Sequence, residues 1–208
     1  VLPGPGAVIG DRLVADARVA KVGFTGETAT GARILRQSSD TITRVSLELG
    51  GKSASIVFAD ADVEAAAAAT PMAVFGNAGQ DCCARSRILV ERPVYEEFLE
   101  AFVAHTDQIA VGDPLSTTTE MGPMISAAQR QTSLDYMDIA TSEGARLAHG
   151  GDVPAGDGHF LRPAVLADVV ARVGGPDVAV SSITGPGVNV HGYEPTPDDL
   201  RRAAEADL

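Results

Sequence analysis

The sequence predicts an α/β fold with a mostly parallel sheet and flanking helices. Short apolar runs of strand character alternate with longer runs of helical periodicity, and glycine, proline or aspartate marks the junctions between them. This alternation favours parallel strands, because each crossover helix returns the chain to the same end of the sheet. With 208 residues, of which 45% are hydrophobic, the chain can bury one large core or two modest ones.

The first fifty residues are predicted to hold two helices and two strands. A turn at "PGPG" precedes a helix from about residue 8 to 17. "KVGFTG" is typical of a short strand that ends at a glycine, and "ETATGARILRQSS" of the helix that follows it. "ITRVSLELGG" alternates like a strand and is closed by Gly50 and Gly51.

The next predicted unit begins with the apolar strand "ASIVFADAD". Asp60 or Asp62 then caps an alanine-rich helix over residues 63–79. "SRILVE" is a further strand, and an amphipathic helix starts at Pro93. The core contacts of the alanine-rich helix are expected from its larger side chains, which are Val63, Met72, Val74 and Phe75.

The last third of the chain is predicted to end in strands and a helix. A helix over 126–145 stops at Gly144. "RLAHGG" and "HFLRPAVLADV" are expected strands around a glycine-rich loop at 150–158. "GPGVNVHGYE" is expected to form a final strand, and Thr196 to cap a final helix.

Charge and cysteine usage exclude several classes of function. The net charge of −12 argues against nucleic acid or an anionic membrane as a partner, since both attract basic surfaces. No apolar run approaches the roughly 20 residues that cross a bilayer. The first ten residues lack the basic start of a signal peptide and are broken by Pro3 and Pro5. Two thiols without distant partners fit a reducing compartment, so we expect a cytoplasmic protein without a metal site.

Three short stretches contain candidate functional residues, and the first is "FTGETATG" at 24–31. A predicted strand runs into a glycine turn and then into a helix, with Gly26 and Gly31 at the junction. Exposed amides at a helix N-terminus attract anions such as a pyrophosphate. A purely structural glycine junction is the alternative, and the charge of Glu27 opposes an approaching phosphate.

The second stretch is "LELGGK" at 47–52. Glu48 lies between two leucines, immediately before two glycines. One interpretation is a carboxylate in a dry setting, which raises its pKa and suits it to act as a general base. The other is a carboxylate that points to solvent by strand alternation.

The third stretch, "GNAGQDCCARSRILV", places the only two cysteines of the chain side by side. Adjacent residues close a strained disulfide ring and constrain the unfolded chain very little. Either both cysteines are inert core residues, or one is a reactive thiol and the other contributes packing.

Taken in this order and at these spacings, the three stretches resemble the NAD(P)-dependent aldehyde dehydrogenase superfamily. The 34 positions from Glu48 to Cys82 equal the spacing in that family, and "VGDP" and "EMGPMIS" resemble the stretch that follows its thiol. The resemblance extends from Pro3 to about Leu208. It implies that residues 1–50 are the C-terminal part of a nucleotide-binding domain and that residues 51–208 belong to a catalytic domain.

The resemblance also implies the roles of single residues. Cys82 is the expected nucleophile, Cys83 a packing residue and Glu48 the general base. The expected cofactor is NAD or NADP, with Gly26, Glu27 and Gly50 on its binding side, and the expected substrate is a small-molecule aldehyde. Asp81 in "NAGQDC" is similar to members that act on amino and betaine aldehydes. The family further implies that the parent protein is a homo-oligomer.

The chain departs from the family at several positions. It contains no tryptophan, so the Trp-Asn motif that supplies an oxyanion donor is absent. In "SSITGP", Ser182 replaces the glutamate that binds the nicotinamide ribose, and Thr184 replaces a phenylalanine. We expect such a site to hold the cofactor weakly or not at all, at a cost of about 1–3 kcal/mol for the lost carboxylate.

Two hypotheses therefore remain. The first is a segment of an aldehyde-oxidising enzyme from a roughly twofold longer protein, which alone shows no NAD-dependent turnover and only slow ester hydrolysis. The second is a degenerate, non-catalytic aldehyde dehydrogenase-like scaffold or interaction module.

Overall fold

A computed structural model describes residues 1–167 and the backbone of the strand at 178–182. The chain divides into two compact units, with the division after Gly51. The α/β class predicted from the alternation is confirmed. The final strand and the helix after Thr196 that the sequence predicts lie outside the described residues, as does Thr184.

The first unit is built on two parallel strands. Lys21 pairs with Arg44, and the register continues to Thr25 opposite Glu48. The helix over Thr28–Ser38 packs on the second strand and the residue after it at Gly31, where an added Cβ would lie 3.4 Å from a methyl group of Leu47 and 2.9 Å from one of Leu49. The elements in chain order are α1 (Gly6–Val14), β1 (Lys21–Thr25), α2 (Thr28–Ser38) and β2 (Arg44–Glu48).

The second unit is built on a five-stranded sheet, in which the strands run in the spatial order Ala54–Val57, Arg87–Glu91, Val178–Ser182, Ala164–Ala167 and Arg146–Gly150. Its helices begin at identifiable caps: the Asp62 carboxylate accepts from the Ala65 N–H at 3.0 Å, and the Ser126 hydroxyl accepts from the Gln129 N–H at 3.1 Å. The elements are β3 (Ala54–Val57), α3 (Val63–Phe75), β4 (Arg87–Glu91), α4 (Tyr95–Asp107), α5 (Ala127–Ser142), β5 (Arg146–Gly150), β6 (Ala164–Ala167) and β7 (Val178–Ser182).

This sheet is mixed rather than mostly parallel. Only β3 and β4 pair in parallel, whereas β4–β7, β7–β6 and β6–β5 are antiparallel. The physical reason is the connection between strands. The segment from 151 to 163 joins β5 to β6 without a crossover helix, and such a connection reverses the strand direction.

The core of the second unit lies where α3 and α4 pack together. The Phe98 and Phe102 rings stack at 5.8 Å, and Phe75 lies 6.4 Å from Phe102. Val63 and Val74 are buried as expected. Met72, expected in this core, is half-exposed, because it lies on the outer face of α3.

Several boundaries differ from the sequence prediction. The first helix begins two residues earlier and ends at Val14, and Pro163 delays β6 until Ala164. The strand β7 at 178–182 was not anticipated. Gly144 follows the end of α5 with a φ of 99°, which confirms it as the helix stop. Among the described residues, no helix has the length and apolar character to span a membrane.

Candidate functional site

The candidate thiol lies on a strained turn at the end of α3. After Phe75 the backbone leaves the helix, and three consecutive residues adopt left-handed backbone angles: Asn77 (φ 53°), Ala78 (φ 55°) and Gly79 (φ 70°). A left-handed conformation costs a residue with a Cβ roughly 1–2 kcal/mol. Strain of this kind is concentrated at functional sites, where surrounding contacts maintain it.

The side chain of Gln80 maintains this turn. Its Nε2 donates to the Asn77 carbonyl at 3.1 Å, and its Oε1 accepts from the Ile125 N–H at 3.0 Å. The Asn77 amide in turn donates to the Gln80 carbonyl at 2.9 Å. Gln80 therefore connects the turn before the thiol to the segment that precedes α5. The residue pattern gives Gln80 no role by itself, although Gln80 lies two positions before Cys82 in the Gly-Gln-x-Cys sequence of residues 79–82.

Both cysteines are exposed, which corrects two expectations. Neither thiol is a buried core residue, so Cys83 does not have the packing role that the resemblance implies. The reason is that the pair lies in an exposed turn between α3 and β4, where the Ala84 N–H donates to the Asp81 carbonyl. Accessibility therefore does not separate the two thiols, and the role of Cys82 as the nucleophile stays a prediction.

The pKa of the Cys82 thiol is raised above its ordinary value. The main cause is the hydrogen bond with the Cys83 thiol, whose sulfur lies 3.7 Å from that of Cys82, and the nearby Asp81 carboxylate adds to it. That carboxylate also accepts from the Cys83 N–H at 2.9 Å. The thiol neighbourhood within this unit favours the protonated form, so a base has to remove the proton before Cys82 attacks.

The candidate base, Glu48, ends strand β2 of the first unit. Its side chain is exposed, in agreement with the solvent-facing alternative and not with a dry carboxylate. Its carbonyl accepts from the Gly26 N–H at 3.0 Å, which extends the β1–β2 pairing by one residue. Glu48 and Gly26 are thus brought together within the first unit, whereas Cys82 belongs to the second.

The candidate phosphate-binding turn follows β1. Helix α2 starts at Thr28, and the side chain of its N-cap residue Glu27 makes no capping hydrogen bond. The first-turn amides are therefore not satisfied by a side chain, which fits an anionic phosphate, although the exposed Glu27 carboxylate opposes it. A Cβ on Gly26 would lie 2.6 Å from the Phe24 ring, so the need for glycine also has a cause within the chain.

The remaining cofactor candidates are less defined by the structure. Gly50 is half-buried just after β2. Ser182 ends strand β7, where its backbone pairs with Arg87 and Leu166. Their roles toward a cofactor stay predictions.

The α/β architecture and the exposed thiol on a strained turn are typical of an enzyme with a cysteine nucleophile. Comparison with known proteins identifies the family. The model of the aldehyde dehydrogenase family matches residues 1–192, so the chain belongs to the aldehyde dehydrogenase family. Betaine aldehyde dehydrogenase of Cereibacter sphaeroides is 39% identical over 208 residues, which is all of this chain and 42% of that protein. The chain thus spans less than half the length of the curated relatives it matches.

Solved structures agree with this assignment. PnpE from Pseudomonas sp. WBC-3 is 38% identical with a TM-score of 0.79, over 96% of this chain and 41% of that one. Betaine aldehyde dehydrogenase from Staphylococcus aureus, solved in complex with NAD+, is 34% identical with a TM-score of 0.77, over 97% of this chain and 40% of that one.

Proposed function

We propose that this chain carries the nucleophile and the general base of an NAD(P)-dependent aldehyde dehydrogenase. The observation that supports the proposal most is the exposed Cys82 on a strained, Gln80-supported turn, in a chain whose family membership is shown. The proposed reaction oxidises an aldehyde to a carboxylate through a covalent bond to Cys82.

The proposed first step is attack by the Cys82 thiolate on the carbonyl carbon, which forms a thiohemiacetal. Among the described residues, the Cys82 N–H donates to no protein acceptor, so it is available to the developing oxyanion. NAD(P)+, when bound, supplies the hydride acceptor, with the first-turn amides of α2 toward its pyrophosphate. The product of oxidation on the protein is a Cys82 thioester.

Glu48 is proposed to act twice as a base. It accepts the thiol proton of Cys82, whose pKa is raised by Cys83, and later the proton of the water that hydrolyses the thioester. Glu48 releases the thiol proton to solvent before it accepts the proton of the water. The hydrolysis then releases the carboxylate, and the Cys82 sulfur takes the second proton of the water and returns as a thiol.

We further propose that the substrate is an aldehyde with a quaternary ammonium group. The relatives at 39% identity are named betaine aldehyde dehydrogenases, and Asp81 beside the thiol fits a cationic substrate. A net charge of −12 attracts a cation to the surface as well.

The test uses the 208-residue chain and its Cys82→Ala and Cys83→Ala variants. We expect hydrolysis of p-nitrophenyl acetate that is lost in Cys82→Ala and retained in Cys83→Ala, without NADH formation from an aldehyde and NAD+. If both variants keep the hydrolysis, this result contradicts the role of Cys82 and favours a non-catalytic scaffold. NADH formation that disappears in Cys82→Ala contradicts the expected inability of these residues to oxidise an aldehyde alone.

The substrate class is tested by protection of the thiol. Betaine aldehyde should slow alkylation of Cys82 at lower concentrations than 3,3-dimethylbutanal, which has the same shape without the charge. Equal protection by both aldehydes contradicts the proposed substrate class.

A further inference from the structure

The chain has only two thiols, and they lie beside a carboxylate in one exposed turn. The sulfurs of Cys82 and Cys83 are 3.7 Å apart, and these atoms and a carboxylate oxygen of Asp81 all lie within 4.8 Å of one another. The reaction proposed above uses the sulfur of Cys82 alone. It leaves the thiol of Cys83 without a function.

The distance between the sulfurs matches the span of a tetrahedral metal ion. With Zn–S bonds of about 2.3 Å and a tetrahedral angle, two ligating sulfurs lie about 3.8 Å apart. The observed separation of 3.7 Å needs almost no adjustment. A carboxylate oxygen that binds the ion at about 2.1 Å would lie about 3.6 Å from each sulfur. The Asp81 oxygen now lies within 4.8 Å of both sulfurs, so its exposed side chain has to move by at most about 1.2 Å to reach that distance.

We propose that Asp81, Cys82 and Cys83 form a binding site for a thiophilic divalent cation of the Zn²⁺ and Cd²⁺ class. Each thiol releases its proton to solvent as its sulfur coordinates the ion, and no electron is transferred. Three protein ligands on one side leave the fourth position to water, as in open zinc sites.

The turn holds these donors together before an ion arrives. The Asp81 carboxylate accepts the Cys83 N–H at 2.9 Å through Oδ1, which places it beside both sulfurs and leaves its second oxygen for the ion. Thiolates select soft and borderline ions over Mg²⁺ and Ca²⁺, which prefer oxygen ligands. An ion held here occupies the Cys82 sulfur and blocks its attack on an aldehyde; only this consequence rests on the proposed function.

The experiment is a titration of the 208-residue chain with Cd²⁺, followed by the thiolate-to-cadmium charge-transfer absorbance in the ultraviolet. No third cysteine exists in the chain, so the band reports on this pair alone. We expect saturation at one Cd²⁺ per chain, with an amplitude twice that of Cys83→Ser and of Cys82→Ser. Zn²⁺ should displace Cd²⁺, and EDTA should abolish the band.

The carboxylate has its own variant. Asp81→Asn should keep the full amplitude and weaken Cd²⁺ binding by roughly tenfold to a hundredfold, as loss of a supporting group does at other metal sites. Far-ultraviolet circular dichroism checks the fold of each variant, and the exposure of all three side chains makes these substitutions compatible with folding.

Three results overturn the proposal. One is a wild-type amplitude no larger than that of Cys83→Ser. Another is saturation at one Cd²⁺ per two chains together with dimers in sedimentation velocity, which indicates an ion bridging separate molecules. Unchanged affinity in Asp81→Asn would likewise overturn the three-donor site. Absence of Cys82-dependent ester hydrolysis contradicts the proposed function but leaves the cadmium band unaffected, so the two failures are distinguishable.

Discussion

Replacing Gln80 with leucine tests whether its side chain holds the thiol turn. Leucine has a similar size but makes neither of the two hydrogen bonds, to the Asn77 carbonyl at 3.1 Å and from the Ile125 N–H at 3.0 Å. Each is worth about 0.5–1.5 kcal/mol, so Gln80→Leu should lower the free energy of unfolding by about 1–3 kcal/mol. Urea denaturation of the variant and the wild type measures this difference.

Amide hydrogen exchange separates a local role from a general loss of stability. The Ile125 N–H donates to the Gln80 side chain, whereas the neighbouring Met124 N–H donates to the His159 carbonyl at 3.0 Å. Gln80→Leu should therefore accelerate exchange at Ile125 and not at Met124. The Cys82-dependent hydrolysis of p-nitrophenyl acetate should also lose kcat with little change in KM, because the turn that orients the thiol relaxes.

Gln131→Leu is the matched control, since that side chain is exposed on α5 and donates only to Asp135 within its own helix, at 2.8 Å. It should change stability by no more than about 0.5 kcal/mol. A Gln80→Leu variant that behaves like this control in denaturation and at the Ile125 amide would refute the positioning role. Equal acceleration at Met124 and Ile125 would show that the whole segment loosens, which also contradicts it.

Three further predictions concern other parts of the molecule. Gly150→Ala should destabilise the chain by about 2–5 kcal/mol, measured by urea denaturation, because its φ is 66° and the new Cβ would lie 1.7 Å from the Pro163 carbonyl oxygen. Asp62→Ala should cost about 1 kcal/mol in the same assay through loss of the cap of α3. Cys83→Ala should lower the pKa of Cys82, since the Cys83 thiol is the main cause that raises it, and so shift the alkylation-rate profile to lower pH.

Two substitutions at comparable positions serve as controls for the glycine and aspartate variants. Gly10→Ala in α1 meets no atom within 4 Å and should be neutral or stabilising by up to about 1 kcal/mol. Asp60→Ala changes an exposed residue of the same loop as Asp62 and should have an effect below about 0.5 kcal/mol. Equal costs for Gly150→Ala and Gly10→Ala, or for the two aspartates, would contradict the stated causes. An unmoved alkylation profile in Cys83→Ala would contradict the pairing of the thiols.

Local patterns located the strands and helices well because each has a local cause. A short run that ends at a glycine marks β1, alternation marks β2, an apolar run marks β3, and the Asp62 cap marks the start of α3. Strand direction has no such local signal. The strand β7 lies between β4 and β6, and its neighbours are set by tertiary packing of residues far apart in the chain. The prediction of a mostly parallel sheet was wrong for that reason.

At the candidate site, too, local residue patterns predict some features, whereas others depend on tertiary packing. The resemblance to the aldehyde dehydrogenase family implies the role of Cys82 through Gly79, Gln80 and Cys82, which a sequence displays directly, and that role stays a prediction. The exposure of Cys83 depends on how the turn leaves α3, and the partner of Gln80 at Ile125 is 45 positions away. Neither follows from the residues around the thiols.

Cys83 is the residue through which the chemistry of the pair is best examined. Its thiol contact with Cys82 at 3.7 Å raises the pKa of Cys82, and the same distance is that between two sulfurs on a tetrahedral ion. The raised pKa and the proposed ion act on the Cys82 sulfur in opposite ways. The raised pKa keeps the sulfur protonated and therefore unreactive, whereas a bound ion would keep it deprotonated but coordinated. Removing the Cys83 sulfur should therefore speed alkylation of Cys82 and halve the cadmium band together. A change in one measurement without the other would mean that proximity in the turn is not the common cause, and that the two sulfurs act independently.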